Sequence, residues 1–515
     1  MTPVSFNPAD LAAMAPQVAL AIFGLVALVP DLVTRRRTRV AGHLAIAMAA
    51  TVLAMVVMAW NGSTGSGPVT AFTGAFVVDR FSQFFAIVFL LSAILAMGMS
   101  VRLLDADRAQ AGEYYSLILL ATLGMMFMAS GLDLLVIWLG LELMSLSSYV
   151  LCGFLKEDRK SSEAALKYFL LGAFSSGVLL YGISLVYGAT GSTWLPAIRQ
   201  HLDSGAPAGM LFSLGVVLMV AGLAFKVAAV PFHQWAPDVY EGAPTGITAF
   251  ISTGSKAAGF AVLLRVFSAG LWSETTAHLW VPLVIVLAAG SMVVGNIAAL
   301  LQDNVKRMLA YSSIGHAGYV LMGLVAIGST ASGADTSPLA GSATALFTFG
   351  AASILVYMLV YTFTTVGAFG VIAALKRDNV VGDRVEDFRG LARRHPVLSF
   401  AMLVFMLSLA GIPATAGFVG KWYLFGAAVR ANYGWLAVLA VLMTTVSVYY
   451  YLRIVVAMYF SDSDAAEEES PLSGTLVGTL AVALIFTLVI GLYPEPFLNL
   501  ATQGAAQLQS IWTLG

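Results

Sequence analysis

From end to end the chain repeats one pattern: a long apolar run, a few polar residues, then another apolar run. The runs are near 20 residues, the length at which a helix crosses a hydrocarbon core of about 30 Å. Within them the apolar residues are continuous, with no period-2 alternation. Lipid offers no partner to a backbone amide, so a crossing segment is either a helix or a strand of a closed barrel. The missing alternation selects the helix. The pattern therefore predicts an all-α polytopic membrane protein with about fourteen transmembrane spans. Their limits fall near 11–33, 40–60, 77–103, 113–130, 132–154, 163–189, 209–231, 246–270, 278–301, 305–327, 343–375, 398–429, 434–460 and 472–493. The loops are short, so residues 1–515 read as a single membrane domain. The first run has neither a preceding basic stretch nor a cleavage site, and is expected to remain as a helix rather than be removed as a signal peptide.

Composition narrows the classes. Of 515 residues, 59% are hydrophobic and 10% charged, against about a quarter charged in soluble domains. Cys152 is the single cysteine, so the chain forms no internal disulfide and cannot ligate an iron–sulfur cluster alone. There is no Gly-x-Gly-x-x-Gly and no Walker lysine loop, which argues against nucleotide chemistry. A net charge of −1 leaves no basic face for nucleic acid. Neither a cofactor nor a metal is expected in this chain.

Lysine and arginine gather in alternate loops: Arg35, Arg36, Arg37 and Arg39 after span one, Lys156, Arg159 and Lys160 after span five, and Lys306 and Arg307 after span nine. Lys376, Arg377, Arg384, Arg389, Arg393 and Arg394 follow span eleven. The opposite loops hold little beyond Arg80, Arg199 and Arg430. The positive-inside rule then puts both termini outside the cytoplasm. The acidic run "DSDAAEEES" falls on the cytoplasmic side and reads as a solvated loop. One repeat is visible: "DLLVIWLGLELMSLSSYVLCG" from Asp133 and "DNVKRMLAYSSIGHAGYVLMG" from Asp303 share the spacing from aspartate to Tyr-Val-Leu-x-Gly. The first opens span five and the second opens span ten, so the copies run in opposite directions. Inverted repeats with sites near the midplane mark secondary transporters.

Against this background a few charges stand out. Lys256, in "ISTGSKAAGF", lies about ten residues into span eight, roughly 15 Å from either face. A lysine stem reaches only about 6 Å, so snorkelling cannot carry the ammonium to water, and holding it there costs on the order of 3 kcal/mol. Glu142, in "LGLELMSL", is comparably deep in span five. The bland alternatives are a packing lysine paired with a hidden carboxylate and a neutral acid bonded to a neighbouring helix. Lys226 lies five residues before Pro231. A helix broken at that proline, continuing to about Trp235, puts Lys226 at a wet interior point, because broken backbone at depth is tolerated only beside a cavity or within protein. Span twelve, "LAGIPATAGFVGKWYLFG", is too long for one straight crossing. A break near Pro413 places Lys421 in its second segment. His233 and His316 could relay protons or be ordinary bonded histidines. Lys167 is near enough to the surface to snorkel, and Arg265 and Arg453, near helix ends, read as anchors.

The string "FKVAAVPFHQWAPDVYEGAPTGITAFISTGSKAAGF" resembles the core of the antiporter-like membrane subunits of proton-pumping NADH:quinone oxidoreductase, respiratory complex I. These are related in turn to multi-subunit sodium/proton antiporters. Within the set, "PFHQWAPDVYEGAPT", "EAALKYFLLGAFSSG" and "LSLAGIPATAGFVGKWYLF" are most similar to subunit N, and the resemblance covers roughly residues 75–460. It implies two inverted five-helix repeats, at 111–275 and 276–462, after three N-terminal spans in 1–110 and before a C-terminal span in 463–515. Spans seven and twelve would be broken, around Pro231 and Pro413. It implies proton translocation through Glu142, Lys226, Lys256 and Lys421, with Glu142 and Lys226 paired, and secondary roles for Lys167, His233 and His316. It further implies a bacterial inner-membrane location and partnership with other complex I membrane subunits, homologous ones included. NAD, FMN, iron–sulfur clusters and quinone would reside in partner subunits. A cation/proton antiporter subunit would carry nearly the same fold and charges, and copurifying chains discriminate the two. A purely structural scaffold predicts that neutralising the charges alters assembly but not turnover.

Overall fold

A computed structural model of the chain describes residues 8–30, 38–62, 67–106, 110–205, 209–331, 339, 341–375, 382–462 and 472–511. Arg35, Arg36, Arg37, Lys376, Arg377 and the acidic run beyond Asp462 lie outside the described residues.

Among the described residues eleven helices are long and apolar enough to cross a membrane. Three shorter apolar helices, Ala15–Val26, Met210–Lys226 and Pro396–Ala410, occupy predicted runs one, seven and twelve. Helix ends follow local chemistry. Asp133 caps Leu134–Cys152 by accepting from the Leu135 amide at 2.8 Å, and Asp158 caps Arg159–Thr190 by accepting from Lys160 at 2.9 Å. Such caps satisfy amides that have no partner within the helix. Gly191, at φ 74°, closes the latter helix in the left-handed conformation, which glycine adopts without strain.

The helices form concentric layers. Thr245–Ala269 and Val305–Ala331 lie almost wholly inside the bundle, whereas Arg159–Thr190, Gly434–Phe460 and Gly474–Leu492 keep much of their surface open. Small residues allow close approach: a Cβ on Gly182 would meet the Gly215 carbonyl at 2.8 Å, and one on Gly215 would meet the Gly182 carbonyl at 2.9 Å. Without a hydrophobic effect between helices in lipid, such backbone proximity carries the packing.

Some elements have no signature in a 20-residue apolar template. Val69–Ala71 and Phe76–Val78 form an antiparallel hairpin. The amphipathic helix Glu495–Ser510 returns along the bundle, and its Gln507 accepts from the Arg80 amide at 2.6 Å.

Arg265 departs from its expected role as an anchor. It is fully buried and forks onto Asp79, with Nη1–Oδ2 at 2.6 Å and Nη2–Oδ1 at 2.9 Å. It also donates to the Ala129 carbonyl and lies over the Phe81 ring at 4.5 Å. The end of a helix is not the edge of the protein here, because Asp79, at the foot of the hairpin, seals that end. Arg453 does stay part-exposed, near Asp303 at 3.5 Å.

Two apolar stretches are interrupted by a break between helices. The first separates Met210–Lys226 from Trp235–Gly242, and the second separates Pro396–Ala410 from Ala416–Arg430. The second depends on Gly417, where a Cβ would overlap the Ser408 carbonyl. Gly417→Ala is therefore expected to push the two half-helices apart at a cost of about 1–3 kcal/mol. The check is the yield and melting temperature of the assembled protein.

Candidate functional site

Each broken or distorted helix presents a lysine to the interior. At the first break the helix stops at Lys226 itself, and Ala228 takes a left-handed φ of 56°. The released backbone finds partners: the Phe225 carbonyl accepts from Trp235 Nε1 at 2.9 Å, and the Ala229 amide donates to the Ala224 carbonyl at 2.9 Å. Lys226 Nζ donates to Ser145 Oγ at 2.8 Å and lies 5.6 Å from the centre of the Tyr168 ring.

The Thr245–Ala269 helix is continuous but widens into a π-turn at Ile251–Ser255, immediately before Lys256. Such turns leave carbonyls imperfectly paired and recur at functional sites. Lys256, 2% exposed, donates to the Ser313 carbonyl at 2.8 Å and to its hydroxyl at 2.9 Å.

At the second break Gly411 ends the first half-helix at φ 84°. Lys421, from the second half, donates to the carbonyls of Leu409 at 2.8 Å and Ala410 at 3.2 Å. The ammonium thus caps the negative end of a half-helix dipole, where carbonyls lack intrahelical partners.

The helix Val305–Ala331 joins these points. Ser313 holds Lys256; beside it, Ser312 is bonded to the Tyr451 hydroxyl. His316, one turn on, has Tyr451 at 3.0 Å on Nε2 and Tyr357 on Nδ1. Tyr319 lies beneath the Lys421 ammonium at 5.2 Å and continues to Asn296 at 3.1 Å and from there to Tyr450 at 3.0 Å. Hydroxyl, imidazole and amide groups, each able to donate or accept, therefore line the interval between Lys256 and Lys421.

The profile of the NADH:quinone oxidoreductase/Mrp antiporter transmembrane family matches residues 131–447, a stretch that holds both breaks and all three lysines. The chain belongs to this family. It is 44% identical to NADH-quinone oxidoreductase subunit N 2 of Solibacter usitatus, over 96% of this chain and 97% of that one. It is 43% identical to NADH-quinone oxidoreductase subunit N of Trichlorobacter lovleyi, over 97% of each. A chain of respiratory complex I from Thermus thermophilus with bound aureothin superposes with a TM-score of 0.75 at 36% identity, covering 95% of this chain and 99% of that one. A chain of the Mrp complex from Dietzia sp. DQ12-45-1b shares the fold, with a TM-score of 0.82 at 22% identity, covering 98% of this chain and all of that one.

In this antiporter-family chain Glu142 and Lys226 do not meet as an ion pair. The half-buried carboxylate accepts from Ser176, which also receives the Trp138 indole N–H at 3.0 Å. The lysine instead takes Ser145, three residues further along the helix that carries Glu142. Glu142 points toward the Arg159–Thr190 helix, and Lys226 enters from the side nearer Ser145. His233 is not brought into the line: it sits half-buried in the first break, and its Nδ1 has no hydrogen-bond partner among the described residues.

Lys167 belongs to a network at the surface end of the same elements. It pairs with Glu163 at 2.7 Å and with Asp238 at 2.6 Å. Asp238 also meets Arg307 at 2.6 Å, and Glu241 bridges Lys160 at 2.9 Å and Arg307 at 3.3 Å. Asp238, Glu241 and Arg307 were not among the sequence candidates, nor were Tyr357, Tyr451 and Asn296. Formal charge at depth does not mark the hydroxyl and amide groups; their signal was polar residues packed into apolar helices, as in "YSSIGH" and "VYYYLR".

Proposed function

We propose that this chain is a proton-translocating membrane subunit of NADH:quinone oxidoreductase, moving protons along buried lysines and Glu142 under the drive of redox chemistry in other subunits. One observation carries the reading. Lys226, Lys256 and Lys421 are each at least 96% buried, and among the described residues none has a carboxylate within 4.0 Å. Each is held by neutral hydroxyl or carbonyl oxygens. A structural ammonium at depth calls for a paired counter-charge. Lysines held without one, at two helix breaks and a π-turn, suit groups that gain and lose protons.

In this reading Lys256 exchanges protons with the centre of the bundle. Glu142 and Lys226 move together or apart to tune it, and Lys421 receives the proton by way of His316 and passes it toward the periplasm. Lys167, with Asp238 and Arg307, guards the end of the route, while His233 is at most a peripheral participant. NAD, FMN, iron–sulfur clusters and quinone belong to partner subunits, and the partners are other complex I membrane subunits, including antiporter-like ones.

The three shorter apolar helices complete fourteen crossings with both termini periplasmic. Residues 111–275 and 276–462 form the inverted repeats, flanked by 1–110 and 463–515. The two units follow the same order: helix, helix, helix, broken helix, helix. Matching bridges support the equivalence. The Leu134 amide donates to the Thr193 carbonyl at 2.9 Å and Leu195 returns to Leu132 at 2.8 Å; likewise Val305 donates to Asp383 at 2.6 Å and Val385 returns to Asp303 at 3.0 Å.

The test is proton pumping by the assembled oxidoreductase in liposomes. Lys421→Met and Lys226→Met are each expected to lower protons moved per electron while the complex stays assembled. Unchanged stoichiometry in both variants would remove the lysines from the route.

A further inference from the structure

Besides the charge line, the second half-helix carries a feature that faces outward. Ala416–Arg430 and Gly434–Phe460 splay apart around a groove of about 690 Å³, within the range of about 300–1,000 Å³ typical of ligand pockets. One wall is aromatic: Phe349 stacks on Tyr423 with ring centres 5.5 Å apart. The other descends along Val438, Val441 and Leu442, all exposed. At the rim stands Arg430, its guanidinium carbon 3.9 Å from the centre of the Phe349 ring.

Two physical facts select the occupant. Stacking covers the flat face of the guanidinium but leaves its N–H edge free, the edge that forks onto phosphate. Among the described residues Arg430 has no carboxylate partner. Depth supplies the second fact. Nine residues separate Arg430 from Lys421 at the break, about 13 Å along the helix axis, which brings the arginine to the level of lipid headgroups. Below it the apolar wall runs from Gly434 to Val441, about 10 Å inward. A cation above a greasy slot of that depth fits an amphiphile with an anionic head.

We propose that this groove binds an anionic phospholipid, its phosphate on Arg430 and an acyl chain against Phe349, Tyr423 and Val441. Such a lipid packs on the back of the helix that carries Lys421. The proposal does not depend on the proton route.

The experiment compares photo-crosslinkable phosphatidylglycerol and phosphatidylcholine in nanodiscs of the assembled complex, with labelled peptides mapped. Label on residues 422–442 is expected to favour phosphatidylglycerol about fivefold, the effect of one basic residue at a membrane surface. Arg430→Gln is expected to abolish the preference. Gly426→Leu, whose side chain would enter the groove where a Cβ lies 3.6 Å from Phe349, is expected to lower labelling by both lipids with the charge intact. Excess glycerol phosphate is expected to leave the label in place. Equal labelling by the two lipids in the unaltered complex would overturn the assignment, and so would a preference that survives Arg430→Gln. Displacement by glycerol phosphate would make it a free-anion site, and crosslinks to another subunit's helix would make it a protein contact; either result also overturns it.

Discussion

Lys256→Met is expected to stop proton movement through this chain and to leave the chain folded. The methionine side chain has similar length and no charge. Its cost is the loss of the two hydrogen bonds to Ser313, which strands buried acceptors at about 1–3 kcal/mol. The opposing gain is removal of a buried ammonium, whose desolvation penalty is several kcal/mol by order of magnitude. The two nearly cancel, so the melting temperature of the complex should move little. Proton transfer has no such compensation: removing a positioned acid–base group typically slows a step by about 10²–10⁴. Lys256→Arg sharpens the distinction. Arginine keeps a donor for Ser313 but does not give up its proton in proteins, so a relay fails with arginine while a packing role would be rescued. The measurements are protons per NADH oxidised in liposomes and thermal unfolding of the same preparations. Normal pumping in Lys256→Arg with lowered stability in Lys256→Met would make the residue a packing group.

Arg265→Met should give the reverse pattern, a large loss of stability with pumping per assembled enzyme unchanged. The Asp79–Arg265 pair is fully shielded from solvent. Removing one partner of such a pair leaves an uncompensated buried charge, at about 3–5 kcal/mol. The Ala129 carbonyl also loses its two guanidinium bonds. Asp79 has a second task that the double variant must respect, since its Oδ1 accepts from the Ser82 amide at 2.7 Å to start the next helix. Asp79→Asn combined with Arg265→Met keeps an acceptor there and removes both charges, and should recover much of the lost stability. The check is assembly yield and melting temperature of the single and double variants. A double variant no better than the single would mean that the arginine acts through packing and hydrogen bonds rather than through its charge partner.

The legible part of this protein was the part set by lipid. A run of apolar residues in a bilayer has few options, so Ala343–Leu375 and Gly434–Phe460 match predicted spans to the residue. The breaks were legible too, because proline and glycine restrict the backbone wherever they stand, and the buried lysines announced themselves by being costly. The family resemblance implied a direct pair between Glu142 and Lys226, but pairing requires two helices to turn the right faces toward each other. Here they turn Ser145 to the lysine and Ser176 to the carboxylate. Arg265 looked like an anchor because distance to a helix end was the only measure of depth available. The hairpin and Asp79 fold over that end and make it interior.

By itself, then, the sequence determined which segments are apolar enough to cross a membrane, where proline and glycine interrupt them and which lysines are costly to bury. All three follow from local constraints, namely desolvation of the backbone, fixed proline geometry and the reach of a side chain. Only the tertiary structure decided which hydroxyls, carbonyls and rings surround each lysine, that His316 joins the interval between Lys256 and Lys421 while His233 does not, and that Lys167 is tied to Asp238. Those contacts link residues far apart in the chain, and they depend on the rotation of each helix about its own axis, which a uniformly apolar run leaves free until its neighbours pack against it.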